Sequence, residues 1–327
     1  MKNHETQNTI NQLKARKKLP PIITKKFSNL GTEGTLDSCT QKTPLSGISP
    51  YQNTYQNEEN QLLMDGKLGA GAYGQVFRAL HKKTGKFFAI KEICVHYSST
   101  NLAAKLEMLQ QEVDILKNLS HPNIVEFRGC SRRTSENFEK IRIYMEYLPG
   151  GSLSSMLKQY GAFPEHLVRK FSFQILKGLH YLHSHGVIHR DLKCGNILVS
   201  NKATVKIGDF GASKAVDSEA FQEMCNSVKG SLYWMAPEVV KGEGYTWSAD
   251  IWSLGCIVVE MSSGLHPWSQ VASFWELIGR MTEGEQPSIP NHLSQECKDF
   301  VSLCFSYEKN KRPAAAQLLK HCWISEY

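Results

Sequence analysis

The Pro149-Gly150-Gly151 break separates two stretches of different periodicity, and it constrains the fold more than any other feature of the chain. Before it, residues 62–66, 75–79 and 87–94 are short alternating or β-branched runs punctuated by glycine, which predict strands; residues 141–147 predict another. Leu102, Leu106, Leu109, Val113 and Leu116 recur at helical spacing and predict one helix over 101–119. Beyond the break the helical period dominates, predicting helices over 164–184, 248–263, 274–281, 295–305 and 314–321. A strand-rich part followed by a helix-rich part implies an α+β fold of two lobes with a cleft between them, joined near residues 145–151.

Residues 1–60 are dominated by Asn, Gln, Thr, Ser, Lys and Pro without sustained apolar periodicity, so they predict a disordered polar and basic arm. Within it Lys14, Arg16, Lys17 and Lys18 precede Leu19-Pro20-Pro21-Ile22-Ile23. This segment, Lys14 to Ile23, reads as a solvated basic tail, as a docking peptide for an acidic and apolar partner surface, or as a nuclear-localisation signal.

The net charge of +7 divides into eight Lys/Arg against five Asp/Glu in residues 1–60, leaving +4 for the rest. Outside the arm the signs are mixed, an ordinary solvated surface that predicts no nucleic-acid partner. No run approaches the roughly 18 apolar residues of a membrane span, and Met1-Lys2-Asn3-His4-Glu5 does not open a secretory signal. Nine cysteines, an odd number with no C-x-x-C pair, predict reduced thiols in the cytoplasm or nucleus.

The first chemical candidate is Gly69-Ala70-Gly71-Ala72-Tyr73-Gly74. A dinucleotide-binding turn would open a helix, whereas Gln75-Val76-Phe77-Arg78-Ala79 is strand-like, so the glycines predict a hairpin whose bare backbone N–H groups can approach phosphate. Phe88-Ala89-Ile90-Lys91 then places a lysine on an apolar strand, where an unpaired ammonium is costly. A partner carboxylate is required. Glu112 on the predicted helix is the choice, and Glu107 on the same helix is the alternative.

Three further segments follow in order: His189-Arg190-Asp191-Leu192-Lys193-Cys194-Gly195-Asn196, then Asp209-Phe210-Gly211, then Ala236-Pro237-Glu238. With the glycine loop and Ala89-Ile90-Lys91 they complete the signature set of the protein kinase superfamily, which the chain resembles from Leu62 to Tyr327. The resemblance implies a bilobal domain over 61–327, with an N-lobe of about 61–147 and a C-lobe of about 148–327. It implies ATP and Mg²⁺ as cofactors, with Leu68, Gly69, Gly71, Gly74, Val76, Ala89, Lys91, Met145, Glu146, Leu148 and Leu198 around the nucleotide. Asn196 and Asp209 would hold the metal. Asp191 would accept the substrate hydroxyl proton, Lys193 would neutralise the γ-phosphate, and Lys91 with Glu112 would hold the α- and β-phosphates. Glu238 and Arg312 resemble the structural ion pair that anchors the activation segment.

Lys193 and Gly230-Ser231 resemble serine/threonine kinases. The segments 209–214, 233–238, 145–153 and 266–269 are similar to MAP kinase kinase kinases of the STE11 type, which implies MAP kinase kinases as substrates and a protein acting in signal transduction. Arg190 beside the catalytic aspartate implies a phosphorylated partner in the activation segment. Ser227 is the preferred phosphosite, and Ser231 is expected to contact Asp191 and Lys193. Lys229 stands where several relatives carry a second phosphorylatable threonine. Cys194 reads as a small buried residue, with a redox-sensitive thiol as the alternative, and His189 as scaffold. Against the enzyme stand a pseudokinase scaffold and an STE-type kinase outside a MAP kinase cascade. Retention of Lys91, Asp191, Asn196 and Asp209 argues for the active enzyme.

Overall fold

The computed structural model describes residues 59–71, 74–98, 102–210 and 231–325. The chain divides between Gly47 and Ile48, and every described residue belongs to the second unit. The Lys14–Ile23 segment and Ser227 lie outside the described residues.

Five antiparallel strands form the N-terminal lobe: β1 (Leu62–Gly71), β2 (Gly74–His81), β3 (Phe87–His96), β4 (Phe127–Thr134) and β5 (Phe138–Glu146), in the order β1-β2-β3-β5-β4. One helix, α1 (Leu102–Asn118), interrupts them. The period of two along β3 sends Phe88 and Ile90 to one face, into a small core with Ala79 and Tyr144. Ile93 and Val95 go to the other, against Leu109, Val113 and Leu116 of α1. Strand β4 was not predicted from sequence. Phe127-Arg128-Gly129-Cys130-Ser131-Arg132-Arg133-Thr134 lies at the sheet edge and carries three arginines, so no apolar alternation marks it.

The chain then passes through residues 147–152 into a helical lobe. Helix α2 (Leu153–Tyr160) starts at Ser152, whose hydroxyl accepts from the Ser155 N–H at 3.1 Å while the Ser155 hydroxyl accepts from the Ser152 N–H at 3.0 Å. Gly150 donates its N–H to the Val199 carbonyl at 3.0 Å, and a Cβ at Gly150 would stand 2.6 Å from that oxygen, so only glycine fits there. Strands β6 (Ile197–Val199) and β7 (Val205–Ile207) form a separate small hairpin. The sequence reading missed this hairpin, because runs of three residues are too short to display a period, and it missed α2, whose Leu153-Ser154-Ser155-Met156-Leu157-Lys158-Gln159-Tyr160 carries few apolar residues.

The remaining helices are α3 (Glu165–Ser184), α4 (Pro237–Val240), α5 (Trp247–Ser263), α6 (Phe274–Thr282), α7 (Gln295–Cys304), α8 (Ala315–Leu318) and α9 (Cys322–Ser325). Every residue of α5 from Ser248 to Ser262 is buried, which makes it the axis of the lobe, with α3 and α7 packed on it. It stops at Gly264, left-handed at φ +73°, whose N–H caps the Glu260 carbonyl at 2.9 Å. Among the described residues no helix is long and apolar enough to cross a membrane.

Arg312, wholly buried, ties α4 to this axis. Its guanidinium donates to Glu238 Oε1 at 2.6 Å and Oε2 at 2.8 Å, and to the carbonyls of Ser248, Ser306 and Tyr307. Each of its five N–H hydrogens has an acceptor, and the Trp252 ring lies 5.2 Å from the guanidinium carbon. Removing one member of a satisfied buried pair leaves the other charge stranded. Arg312→Met is therefore expected to lower unfolding stability in urea by about 3–5 kcal/mol, and a loss below about 1 kcal/mol would contradict this reading.

Candidate active site

Sheet register gathers most of the nucleotide candidates on one face. Gly71 pairs with Gly74, Gly69 with Val76, Val76 with Lys91, and Ala89 with Met145. Directly opposed residues share a face, as do residues two apart. Gly69, Gly71, Gly74, Val76, Ala89, Lys91 and Met145 therefore all project from the same side of the sheet. Gly71 and Gly74 pair across antiparallel β1 and β2, so the glycine run leads from strand to strand and not into a helix, as its sequence context predicts. Gly74 is required for packing: at φ +150° its Cβ would lie 2.4 Å from the Glu92 carbonyl oxygen. A Cβ at Gly69 would meet nothing within 4 Å, so the open space there is available to a ligand. Leu68 is exposed, Leu148 is buried, and Leu198 lies in β6, beyond the 147–152 link.

Lys91 Nζ donates to Glu112 Oε1 at 2.8 Å and to Asp209 Oδ1 at 3.0 Å. Glu112 lies on the buried stripe of α1 between Leu109 and Leu116, whereas Glu107 is exposed and bonds Gln111 instead. Burial by itself pushes the Lys91 ammonium toward neutrality, but the Asp209 and Glu112 carboxylates outweigh it and hold the pKa above its ordinary value. Desolvation likewise opposes ionisation of Asp209, and the Lys91 charge overrides it, keeping that carboxyl below its usual range.

The loop around Asp191 is organised on one oxygen. Asp191 Oδ2 accepts from Lys193 Nζ at 2.7 Å and from Asn196 Nδ2 at 2.9 Å; the same Asn196 nitrogen also donates to the Asp191 carbonyl at 2.7 Å. Lys193 Nζ in turn donates to Ser231 Oγ at 2.6 Å, so the expected link from Ser231 to Asp191 runs through the lysine. With both amide hydrogens of Asn196 engaged, its Oδ1 is left as an acceptor.

Asp250 of α5 holds this loop, a role the sequence reading did not assign. Its carboxylate accepts from the backbone N–H groups of His189 (2.9 Å) and Arg190 (3.0 Å), and from His183 Nε2 at 2.9 Å. Arg190 is left-handed at φ +71°, a costly conformation for a non-glycine residue that the two bonds to Asp250 help to enforce. Asp209 is also left-handed, at φ +57°. His189 is wholly buried, with one ring nitrogen on the Gly208 carbonyl (2.9 Å) and the other on the Asp191 N–H (3.3 Å), which makes it scaffold.

Arg190, Asp191, Ser231, Trp234, Tyr245 and Asp250 line a small cavity beside the loop. The Arg190 guanidinium lies 5.6 Å from the Tyr245 ring, and its Nε is buried with no hydrogen-bond acceptor among the described residues. Burial lowers its pKa, with Tyr245 and Asp250 acting in opposition. Cys194 is wholly buried, and burial followed by the carboxylate of Glu260 pushes its thiol well up.

Residues 63–324 match the sequence model of the protein kinase domain. The chain belongs to the protein kinase family. A domain of this family uses ATP and a divalent cation. The chain is 41% identical over 304 residues to mitogen-activated protein kinase kinase kinase 2 of Arabidopsis thaliana, covering 89% of this chain and 45% of the relative. It is 44% identical over 264 residues to the kinase kinase kinase ANP1 of the same plant, covering 79% and 39%. It is 41% identical over 255 residues to human mitogen-activated protein kinase kinase kinase 3, covering 78% and 40%. The chain thus spans less than half the length of these curated relatives.

The residues present suit the cation. Asn196 Oδ1 and the Asp209 oxygen not bonded to Lys91 are hard donors, and two protein donors supplemented by phosphate and water match the habits of a small divalent ion. Among the described residues no cluster of three or more His, Cys, Asp or Glu side chains offers a self-sufficient site. The cation would therefore rest partly on the nucleotide.

Thiol access is directly testable. Iodoacetamide on the folded protein is expected to label the exposed Cys94 and Cys322 while sparing Cys194, read by peptide mass spectrometry. Labelling of Cys194 at the rate of Cys94 would restore the redox-sensitive reading.

Proposed function

We propose that this chain is an active serine/threonine protein kinase acting as a MAP kinase kinase kinase, with MAP kinase kinases as its protein substrates. The observation that carries the enzymatic reading is the convergence of Lys193 and Asn196 on one Asp191 oxygen, in a chain whose Lys91 bridges Glu112 and Asp209. A scaffold built on this fold has no need of six charged or polar groups arranged for phosphate, metal and proton. ATP, when bound, would supply the phosphoryl group and leave as ADP, and the cation, which we take to be Mg²⁺, would offset the phosphate charge. Lys91 draws the α- and β-phosphates to the sheet face. Asp191 receives the hydroxyl proton of the substrate serine or threonine and aims that oxygen at the γ-phosphate, and Lys193 balances the charge that builds up there. Val76 and Ala89 above, Leu198 below and Met145 behind would hold the adenine, with the backbone of Glu146 and Leu148 at its edge.

The names of the relatives support the MAP kinase kinase kinase reading. All seven described cysteines are free thiols, which agrees with a reducing compartment such as the cytoplasm. Incubation with ATP, Mg²⁺ and a panel of MAP kinase kinases is expected to place phosphate on serine or threonine of a MAP kinase kinase activation segment. Asp209→Asn should cut that rate by at least about a hundredfold while the protein stays folded. Phosphorylation of a generic acceptor but of no MAP kinase kinase would favour an STE-type kinase outside such a cascade, and full activity of Asp209→Asn would overturn the enzymatic assignment.

Activation is proposed to run through phosphorylated Ser227. The buried Arg190 Nε, lacking an acceptor among the described residues beside a small cavity, supports an anionic ligand at that position. Ser227→Ala is expected to lower activity more than about tenfold and Ser218→Ala to leave it unchanged, in a kinase assay after preincubation with ATP. Equal activity of Ser227→Ala and wild type would eliminate Ser227.

A further inference from the structure

Lys206 has no part in the roles assigned above. It is the middle residue of β7, where Val205 and Ile207 are wholly buried in the helical lobe and Lys206 projects the other way. Across the ladder it directly opposes Leu198, so the two side chains share a face. Leu198 is the floor of the adenine site in the reading above, which sets the ammonium beside that floor.

Its partner belongs to the other lobe. Lys206 Nζ donates to Glu146 Oε1 at 2.5 Å, and both side chains are largely withdrawn from water, at 15% and 18% exposure. The same oxygen accepts the Glu126 backbone N–H at 2.7 Å, while the Glu146 N–H donates to the Glu126 carbonyl at 3.1 Å. Residues 123–126 are themselves bonded to β7: Val125 donates to the Ile207 carbonyl and Ile207 to the Asn123 carbonyl, each at 2.9 Å. The bonds close a ring from β7 through residues 123–126 to Glu146 and back through Lys206. Glu146 ends β5 and opens the link between the lobes, so the ring fixes that residue in both backbone and side chain.

A largely buried ion pair is weak evidence for stability, because desolvating two charges offsets their attraction; what it does impose is a defined geometry. We propose that Lys206 is a positioning residue for the nucleotide: by clamping the Glu146 side chain to β7 it fixes the Glu146 backbone carbonyl against the floor of the adenine site. This rests on the reading of the cleft as an ATP site. Lys206 touches neither phosphate nor the reacting hydroxyl, so its contribution falls on nucleotide affinity and base choice and not on the chemical step. An adenine presents an amine to a carbonyl, whereas a guanine presents an oxygen at the corresponding position, so a fixed carbonyl favours ATP over GTP.

The test compares wild type with Lys206→Met, the milder Lys206→Gln and the charge-preserving Lys206→Arg. It measures kcat and KM for ATP and GTP, together with equilibrium binding of both nucleotides in the absence of acceptor protein. Lys206→Met and Lys206→Gln are expected to raise the ATP Kd and KM about tenfold, hold kcat within about twofold and shrink the preference for ATP over GTP; Lys206→Arg should retain most of the wild-type affinity. In a double-mutant cycle, adding Glu146→Gln to Lys206→Met should cost little more than the single change. Unchanged ATP affinity, equal losses for ATP and GTP, or a fall in kcat with KM preserved would each overturn the inference while leaving the ATP site intact. Failure of the wild-type chain to bind either nucleotide would instead overturn the ATP reading, and the inference with it.

Discussion

The buried ammonium of Lys91 organises everything around it. A positive charge in an apolar strand is tolerated only with counter-charges at contact distance, and its two come from different parts of the chain: Glu112 from α1 and Asp209 from the segment after β7. The helix must therefore seat with its 109–116 stripe inward, and the two lobes must approach closely enough for Asp209 to reach the strand. Any arrangement that withdraws either carboxylate leaves a desolvated charge behind. Assembly of the phosphate-binding side of the cleft and satisfaction of the N-lobe core are one event.

The other side of the cleft draws its order from a helix that never meets solvent over most of its length. Helix α5 is buried from Ser248 to Ser262, and Asp250 in its first turn accepts two consecutive backbone N–H groups of the loop that carries Asp191. The loop itself is irregular and includes a left-handed arginine, a conformation it would not hold alone. Rigidity is thus transmitted from the packed interior to a strained loop through one carboxylate. The pKa of Asp250 stays below its usual range despite full burial, because His183, His189 and the backbone donors outweigh desolvation.

Much of this was legible in the sequence. The change of period at residues 149–151 gave two lobes, and long helices and apolar strands fell close to their predicted spans. What escaped was short or charged: the three-residue strands β6 and β7, the eight-residue α2 and the arginine-rich β4. The choice between Glu107 and Glu112 was open in the sequence, yet the apolar spacing of Leu109, Val113 and Leu116 already sets Glu112 within the inward stripe and Glu107 outside it. Lys206 carried the same signal as Lys91, an ammonium between apolar neighbours in Val205-Lys206-Ile207, but a run of three residues does not announce a strand. In the sequence Asp250 is only one residue of the helix predicted over 248–263; that it binds residues some 60 positions earlier is a matter of tertiary geometry.

The charge that concealed β4 has a use of its own. Among the described residues no further strand pairs with the outer edge of β1 or of β4, and such edges can accept a passing strand. On one edge, β1 is irregular, its register against β2 shifting between Met64 and Lys67 and again between Lys67 and Gly69. On the other, β4 sets Arg128, Arg132 and Arg133 along its length. A second copy of this sheet approaching β4 would have to strip water from these guanidinium groups and disturb the ion pairs that Arg128 and Arg132 make with Glu126 and Glu139. The arginines that make the strand unreadable as a strand thus keep the sheet from growing by edge-to-edge aggregation.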